Sequence, residues 1–189
     1  LVTGSSFWLA PFLQDGIAWD PIRDFTSIAL LATSPNLIVV HPSVPVKSVS
    51  ELLALARKRP GQLNYGSAGA GNATHLGVVM FLDAHKLSAL HIPYKGIAPA
   101  LVDMAAGRVD FAMSSVVSAT PLVKSGRLKG LAVTGLQRSP GLPELPTLNE
   151  FGMPGFEVTG WYGVMAPAKT PRSVINRLNS EIHKLLQDQ

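Results

Sequence analysis

The segment NYGSAGAGNATHLG, residues 64–77, carries the residue types in this sequence best suited to chemistry. An apolar stretch that is typical of a strand ends at Tyr65, and the glycines after it let the backbone turn tightly with its amides facing outward. A helix is predicted to begin near Asn72. The first amides of a helix lack partners within it and carry about half a positive charge together, so an anion binds there favourably. The predicted ligand-binding residues of this loop are Ser67, Gly69, Gly71, Asn72, Ala73, Thr74 and His75.

The anion at this loop is not fixed by the pattern alone. Residues 69–74 nearly match the dinucleotide-binding fingerprint, with Thr74 in place of the last glycine. That fingerprint also needs an acidic residue about 20 positions later, whereas the next predicted strand runs into Ile92-Pro93-Tyr94-Lys95 with no acid. A Walker-type loop is excluded because no lysine follows the glycines. A plain strand-to-helix turn, a small-anion site and a dinucleotide site therefore stay open at this point.

Catalytic and metal-binding patterns are missing from the sequence. The histidines show no HExxH spacing, and the absence of cysteine excludes thiolate catalysis and Cys-based metal sites. A G-x-S-x-G elbow is not formed, because Tyr65 occupies the position of its first glycine. His75 falls in the first turn of its helix, where the dipole disfavours the charged imidazole, so we interpret it as a neutral hydrogen-bonding or packing residue. We predict a binding protein, not an enzyme, with no cofactor and no metal.

The composition excludes several other classes of protein. With 47% hydrophobic and 15% charged residues the chain is expected to be globular, and no apolar run approaches the roughly 18 residues of a membrane span. The net charge of +4 comes from scattered lysines and arginines. Their one run, residues 57–59, closes a predicted helix, where cations favour the helix dipole. No nucleic-acid partner is therefore predicted.

Strands and helices alternate along most of the chain. This alternation predicts an α/β fold built from parallel βαβ units with helices covering the sheet. Capping boxes mark two of the helix starts, Ser48 with Glu51 and Thr147 with Glu150. The predicted strands are residues 27–32, 37–40, 63–65, 89–92, 109–113, 128–134 and 161–166. The predicted helices begin near Ser48, Asn72, Ala98, Pro121, Thr147 and Thr170.

Ligands of such sheets lie at the carboxyl ends of the strands, where loops lead into helix N-termini. Besides the glycine loop, this rule selects the turn at residues 3–6, the turn at residues 94–96 and the pair Ser114-Ser115. A turn of this kind, taken alone, is more often a helix cap or an ordinary turn than a ligand contact. The residues predicted here as ligand contacts are Ser5, Ser6 and Ser114.

Longer stretches of the sequence resemble a known family. The series DFTSIALLATSPNLIVVHPSVPVKSVSELLALA, GQLNYGSAGAGNATHL, IPYKGIAPALVDMAAGRVDFAMSS, GRLKGLAVTGLQRSPGLPELPTLNEFGMPGFE and WYGVMAPAKTP is similar to the Bug-type solute receptors of bacterial tripartite tricarboxylate transporters. The similarity extends from Leu1 to the last predicted helix, and its motifs are specific in combination.

The resemblance implies a type II periplasmic-binding fold, in which two α/β lobes are joined by crossing strands and the ligand is held in the cleft. Residues 1–33 and 161–189 would form part of domain 1, and residues 34–160 would form domain 2. Trp161, at the returning crossover, would line the hinge or pack it. The family often has Asp-Asn where this chain has Ser114-Ser115, which argues against a contact to a ligand ammonium group.

The resemblance also implies the partners. The ligand would be a small carboxylate, such as a di- or tricarboxylate, an amino acid or an aromatic acid, and membrane transporter subunits would receive it in the periplasm. The chain lacks the family's first strand, its P-F-x-x-G-G loop and the usual C-terminal remainder, so we interpret it as a fragment and expect it to bind dicarboxylates weakly or not at all. An effector domain of a transcription regulator, which shares the two-lobed architecture, is the third alternative beside the dinucleotide enzyme.

Overall fold

The computed structural model describes residues 1–13 and 15–187, which form two compact units. Unit 1 consists of Leu1–Thr33 and Gly160–Gln189, and unit 2 consists of Ser34–Thr159. Among the described helices, none has the length and apolar character that crossing a membrane requires.

Unit 2 is built on a mixed sheet. Its central strands β3 and β5 are parallel, as are β3 and β4, whereas β2 runs antiparallel to both β5 and β6. The resulting order is β6-β2-β5-β3-β4. The prediction of parallel βαβ units is confirmed for three of these strands. The strands are β2 (Phe25–Val40), β3 (Asn64–Ser67), β4 (Leu90–Pro93), β5 (Phe111–Ser115) and β6 (Lys129–Val133).

Helices cover both faces of this sheet. The side chains of β2 alternate between the faces, so that Ile38 and Val40 join one core while Leu37 and Val39 join the other. Helices α2 and α3 pack on the first core, and α4 and α5 pack on the second. The helices are α2 (Val49–Lys58), α3 (Ala73–Asp83), α4 (Ile97–Ala105) and α5 (Val116–Lys124), with a 3₁₀ turn at Asn149–Phe151.

Two element boundaries of unit 2 were predicted wrongly. The strand break predicted at Ser34-Pro35 does not exist, because β2 is continuous. Its pairing with β5 begins at Asn36, so the missing amide of Pro35 removes no bond from that ladder. The short helix predicted at Pro121 begins instead at Val116, with Ser115 as its N-cap.

Strand ends also lie further along the chain than predicted. Gly66 and Ser114 mark the predicted ends at Tyr65 and Met113, but β3 continues to Ser67 and β5 continues to Ser115. The hydroxyls of Ser67 and Ser114 are buried within the strands, where hydrogen bonds satisfy them. The capping boxes are confirmed as side-chain caps, since Glu51 and Glu150 donate their amides to Ser48 and Thr147.

Unit 1 contains its own small sheet and core. Strand β1 (Val2–Gly4) pairs antiparallel with β7 (Thr159–Pro167), which is hydrogen-bonded to β2. Ile28, Ala166 and Ile175 form the buried core beneath helix α6 (Arg172–Gln187). Helix α1 (Ser5–Leu13) follows β1 directly.

Candidate anion-binding site

The glycine loop connects β3 to α3 in unit 2, as the sequence predicts. Asn72 is the N-cap of α3, and its Oδ1 accepts the amide of Thr74 at 3.1 Å. Gly69 and Gly71 have φ angles of 122° and 75°, which residues with a Cβ rarely adopt. These two glycines therefore set the path of the loop between the strand end and the helix start.

Side chains of the loop and of α3 bind several of the loop amides. The amide of Ala68 donates to Thr74 Oγ1 at 2.9 Å, and the amide of Gly69 donates to Ser67 Oγ at 3.1 Å. The amide of Gly71 donates to His75 Nδ1 at 3.1 Å. The hydroxyls that the sequence offered as ligand donors are thus engaged in shaping the loop, and Ser67 exposes 0% of its surface.

Three donors at the start of α3 have no partner among the described residues. These are the amides of Ala70 and Ala73 and the side-chain Nδ2 of Asn72. Ala70 is exposed, and Ala73 and Asn72 are half-buried. An unpaired amide at a helix N-terminus is satisfied by water or by an anion. The arrangement is therefore chemically suited to hold a carboxylate or a similar small anion.

A second loop braces the first. The turn after β4 donates two amides to it, from Tyr94 to the carbonyl of Ser67 at 3.1 Å and from Gly96 to the carbonyl of Ala68 at 3.3 Å. A Cβ built on Gly69 would lie 3.3 Å from the carbonyl oxygen of Tyr94, so a side chain at Gly69 would press on the neighbouring loop. The two turns predicted at residues 66–75 and 94–96 consequently form one connected structure.

Two histidines and a tyrosine lie beneath the loop. His75 stacks on His91 with ring centroids 4.1 Å apart, and His91 stacks on Tyr65 at 4.9 Å. His91 Nε2 is 2.7 Å from Ser67 Oγ. The ring cluster therefore ties β3, β4 and the first turn of α3 together.

Burial lowers the pKa of both histidines. For His75, burial disfavours the imidazolium, and for His91 the charge of His75 lowers the pKa further. Burial raises the pKa of the Tyr65 phenol. At neutral pH these rings are uncharged, which agrees with the interpretation of His75 as a neutral hydrogen-bonding residue, although burial replaces the helix dipole as the cause.

Ser114 is placed on the other face of the sheet from Ser67. It pairs with Leu37 of the second core, exposes 0% of its surface and donates its hydroxyl to the carbonyl of Ser115 at 3.3 Å. The half-buried hydroxyl at this strand end belongs to Ser115, which caps α5. A ligand contact by Ser114 stays a prediction, and this structure presents no surface of that side chain for it.

Ser5, Ser6 and Trp161 belong to unit 1. Ser5 and Ser6 open α1, and their hydroxyls have no hydrogen-bond partner among residues 1–13 and 15–187. Trp161 lies 6.2 Å from Trp8 between ring centroids, and both line a cavity of about 150 Å³ in this unit. The role of Trp161 in lining or packing the hinge stays a prediction, as does a ligand contact for all three residues.

A cavity of about 380 Å³ lies at the opposite end of α3, next to Met80, His85 and Phe156. This end of a helix presents carbonyl oxygens, which disfavour an anion. Among the described residues, no group of three His, Asp or Glu side chains is arranged to hold a metal ion. The free amides therefore make the start of α3 the better candidate for an anion.

Sequence reasoning predicted Ala73 but missed His91 and the free amide of Ala70. His91 lies 24 positions after Ser67, and only the parallel pairing of Tyr65 with His91 brings it under the loop. The sequence did offer one signal, since β3 and β4 are both short strands that are followed by a turn and a helix. It indicates proximity of the turns but not which residues face each other.

Comparison with known proteins yields a match over nearly the whole chain. A family model described as tripartite tricarboxylate transporter family receptor matches residues 1–188. A UPF0065 protein from the tcbD–tcbE intergenic region of Pseudomonas sp. strain P51 is 40% identical over 187 residues, which are 98% of this chain and 56% of that protein. The chain spans about half the length of the curated relatives it matches.

Solved structures give the same result. A Rhodopseudomonas palustris protein with adipate is 36% identical, with a TM-score of 0.89 over 96% of this chain and 61% of that chain. A second R. palustris protein, with bound malate, is 30% identical, with a TM-score of 0.90 over 100% of this chain and 64% of that chain. A structure described as a periplasmic transporter has a TM-score of 0.93 and 30% identity, over 99% of this chain and 63% of that chain. The predicted α/β class and periplasmic-binding fold are confirmed by these likenesses.

The hydroxyl of Thr74 is expected to matter to the loop more than its volume. Thr74→Val keeps the shape of the side chain but removes the hydroxyl that accepts the Ala68 amide. Thr74 is only 8% exposed, so water does not readily replace the lost acceptor. The expected loss is about 1–3 kcal/mol in the free energy of unfolding, measured by urea denaturation. Thr120→Val is the matched control, because its hydroxyl bonds a carbonyl inside α5 that the helix itself also pairs. An equal loss in both variants would contradict the assigned role of Thr74.

Stability is expected to fall as the pH drops below about 6.5. The pKa values of His75 and His91 are lowered from 6.5 in the folded state, so the unfolded chain takes up protons first and is favoured by acid. In the double variant H75N/H91Q the melting temperature should change much less between pH 8 and about pH 5 than in the wild type. A separate loss of stability below about pH 4.5 is expected from protonation of Asp24 and Glu150, whose pKa values are lowered to about 2. A wild-type melting temperature that is flat from pH 8 to 5 would refute the assignment.

Proposed function

Since this chain belongs to the tripartite tricarboxylate transporter receptor family, we propose that it captures a small carboxylate at the β3–α3 loop. The protein acts in the periplasm, has no catalytic activity and passes its ligand to transporter subunits in the membrane. The free amides of Ala70 and Ala73 at the start of α3 are the observation that carries the proposal for the ligand.

The chemistry of the loop supports a carboxylate. A carboxylate has two oxygens, each of which accepts hydrogen bonds in several directions, and charge-assisted bonds are the strong ones. The amides of Ala70 and Ala73 and the Nδ2 of Asn72 offer three donors and no negative charge. The net charge of +4 adds a weak long-range attraction for acidic ligands.

The structures with adipate and malate support dicarboxylates as the first ligands to test. Both relatives cover nearly all of this chain at 30% identity or more. We extend their ligand class to this chain, and the identity of the natural ligand is a matter for direct screening of di- and tricarboxylates, amino acids and aromatic acids.

The loop residues divide into two roles under this proposal. Ala73 and Asn72 contact the carboxylate directly, together with Ala70, which the sequence did not single out. Ser67, Gly69, Gly71, Thr74 and His75 hold the loop in shape through the hydrogen bonds and backbone angles described above.

Energies limit what this loop achieves by itself. Two or three charge-assisted hydrogen bonds contribute about 1.5–3 kcal/mol each, against an association cost of at least about 4 kcal/mol. Micromolar affinity needs about 8 kcal/mol net. Further contacts must therefore complete a high-affinity site.

The location of binding is testable by nuclear magnetic resonance on the uniformly ¹⁵N-labelled chain. Titration with adipate and with malate should shift the amides of Ala70 and Ala73 most, in a saturable way with an apparent Kd above about 1 mM for the loop alone. The neutral diamide of adipate should leave both amides unchanged, because it lacks the charge. Saturable shifts confined to other residues would contradict the proposed site.

Gly71→Ala should abolish this response. Alanine at a φ of 75° costs about 1–2 kcal/mol, and the loop escapes the strain by moving the amides on either side of residue 71. Gly126→Ala is the matched control, since Gly126 has a φ of 72° in a turn where an added Cβ meets no atom within 4 Å. The control should lose similar stability yet keep the adipate response. A response retained by Gly71→Ala would show that the loop does not hold the ligand.

A further inference from the structure

We propose that His75 is a positioning residue that holds the β3–α3 loop ready for a carboxylate only while its imidazole is neutral, so that acid releases the ligand. The part that concerns the ligand rests on the proposed function. The part that concerns the loop stands on the contacts of His75 alone.

The contact that carries this inference is the bond from the Gly71 amide to His75 Nδ1, at 3.1 Å. A neutral imidazole has one ring nitrogen that accepts and one that donates, whereas an imidazolium donates from both. The bond therefore requires Nδ1 without a proton, which places the proton of the neutral ring on Nε2. Protonation of Nδ1 turns the acceptor into a donor that faces the donating amide of Gly71.

The ring of His75 has little freedom to avoid this conflict. It stacks on His91 at a centroid distance of 4.1 Å and lies 6.3 Å from Tyr65, nearly parallel to it. The backbone of His75 is itself held in the first turn of α3 by the hydrogen bond that its amide donates to the carbonyl of Asn72 at 2.9 Å. Because stacking holds the ring and the helix holds the backbone of His75, we expect the conflict to be resolved by movement of the Gly71 amide.

The surroundings of His75 offer no carboxylate to stabilise its charged form. The titratable residues on the strands beneath it are Tyr65 on β3 and His91 on β4, and β5 contributes none. On the bracing turn, Tyr94 is bonded to Asp103 at 2.9 Å, and Lys95 is exposed and cationic. The acidic residue of α3, Asp83, lies at the far end of the helix. Burial lowers the pKa of His75, and burial together with the charge of His75 lowers the pKa of His91.

Loss of the Gly71 bond acts on the site directly. Residue 71 lies between Ala70 and Ala73, whose free amides form the proposed anion contacts, and its φ of 75° sets their relative direction. Once the Gly71 amide is released, the loop samples other conformations and the relative position of the two amides is no longer fixed. Because one neutral hydrogen bond is involved, the expected weakening of carboxylate binding is about two- to tenfold.

The loop part is tested without any ligand. In the ¹⁵N-labelled chain, the long-range imidazole spectrum at pH 8 should show His75 with its proton on Nε2, and the Gly71 amide should shift with the same midpoint as His75 on acidification. A proton on Nδ1 at pH 8, or a Gly71 amide that does not follow His75, would overturn the proposal. This outcome is independent of whether any carboxylate binds.

The ligand part compares adipate affinity at pH 7.5 and pH 5 in the wild type and in variants, with the Ala70 and Ala73 amides as the signal. His75→Asn keeps an acceptor near the position of Nδ1 and cannot take a proton, so its adipate affinity should fall less than that of the wild type between pH 7.5 and pH 5. Because protonation of adipate affects both proteins equally, the ratio of their affinities isolates His75, and the wild type should fall two- to tenfold further at pH 5. His75→Leu, which lacks the acceptor, should bind more weakly at both pH values.

His91→Gln tests whether His75 or His91 causes the loss of adipate affinity in acid. Glutamine places a polar atom near that of His91 Nε2, which lies 2.7 Å from Ser67 Oγ, and His75 remains able to titrate. Between pH 7.5 and pH 5 this variant should therefore still lose two- to tenfold more adipate affinity than His75→Asn. A wild type whose adipate affinity falls no more than that of His75→Asn between pH 7.5 and pH 5 would show that protonation of His75 does not release the ligand, and the proposal would be wrong. An absence of any carboxylate response at pH 7.5 would instead refute the proposed function.

Discussion

The site depends on how the backbone amides at the start of α3 are shared between the protein and a ligand. From Ala68 to Thr74 most amides find an acceptor inside the loop, and those of Ala70 and Ala73 do not. Unpaired amides are costly when they are buried without water, and neither Ala70, which is exposed, nor Ala73, which is half-buried, is fully buried. The bonded amides hold the loop in one shape. Because the loop is already ordered, binding of an anion costs less conformational entropy.

The rest of unit 2 supports this division of amides. The parallel pairing of β3 with β4 brings their following turns together, so the carbonyls of Ser67 and Ala68 are satisfied by Tyr94 and Gly96. The same pairing places His91 under Ser67 and against His75. Helices on both faces of the sheet bury the strands, which limits the movement available to the loop at their ends. The anion chemistry is thus carried by backbone, and side chains act mainly by positioning it.

Local features of this arrangement were predictable from the sequence, and long-range ones were not. The loop, its Asn72 cap and the capping boxes follow from residues within a few positions of each other. The burial of Ser114 was missed because a serine after an apolar run is typical of a loop, whereas the pairing of β5 with β2 extends through it. The role of His91 depends on the register of two strands, which no local pattern encodes. The family resemblance predicted the fold correctly because it draws on the whole chain at once.

A crystal structure of the chain grown with adipate tests the central claim most directly. The account predicts a carboxylate group whose oxygens lie about 2.7–3.1 Å from the amide nitrogens of Ala70 and Ala73, with the Gly71–His75 bond unchanged at neutral pH. Adipate bound elsewhere in unit 2, with water alone on these two amides, would contradict it.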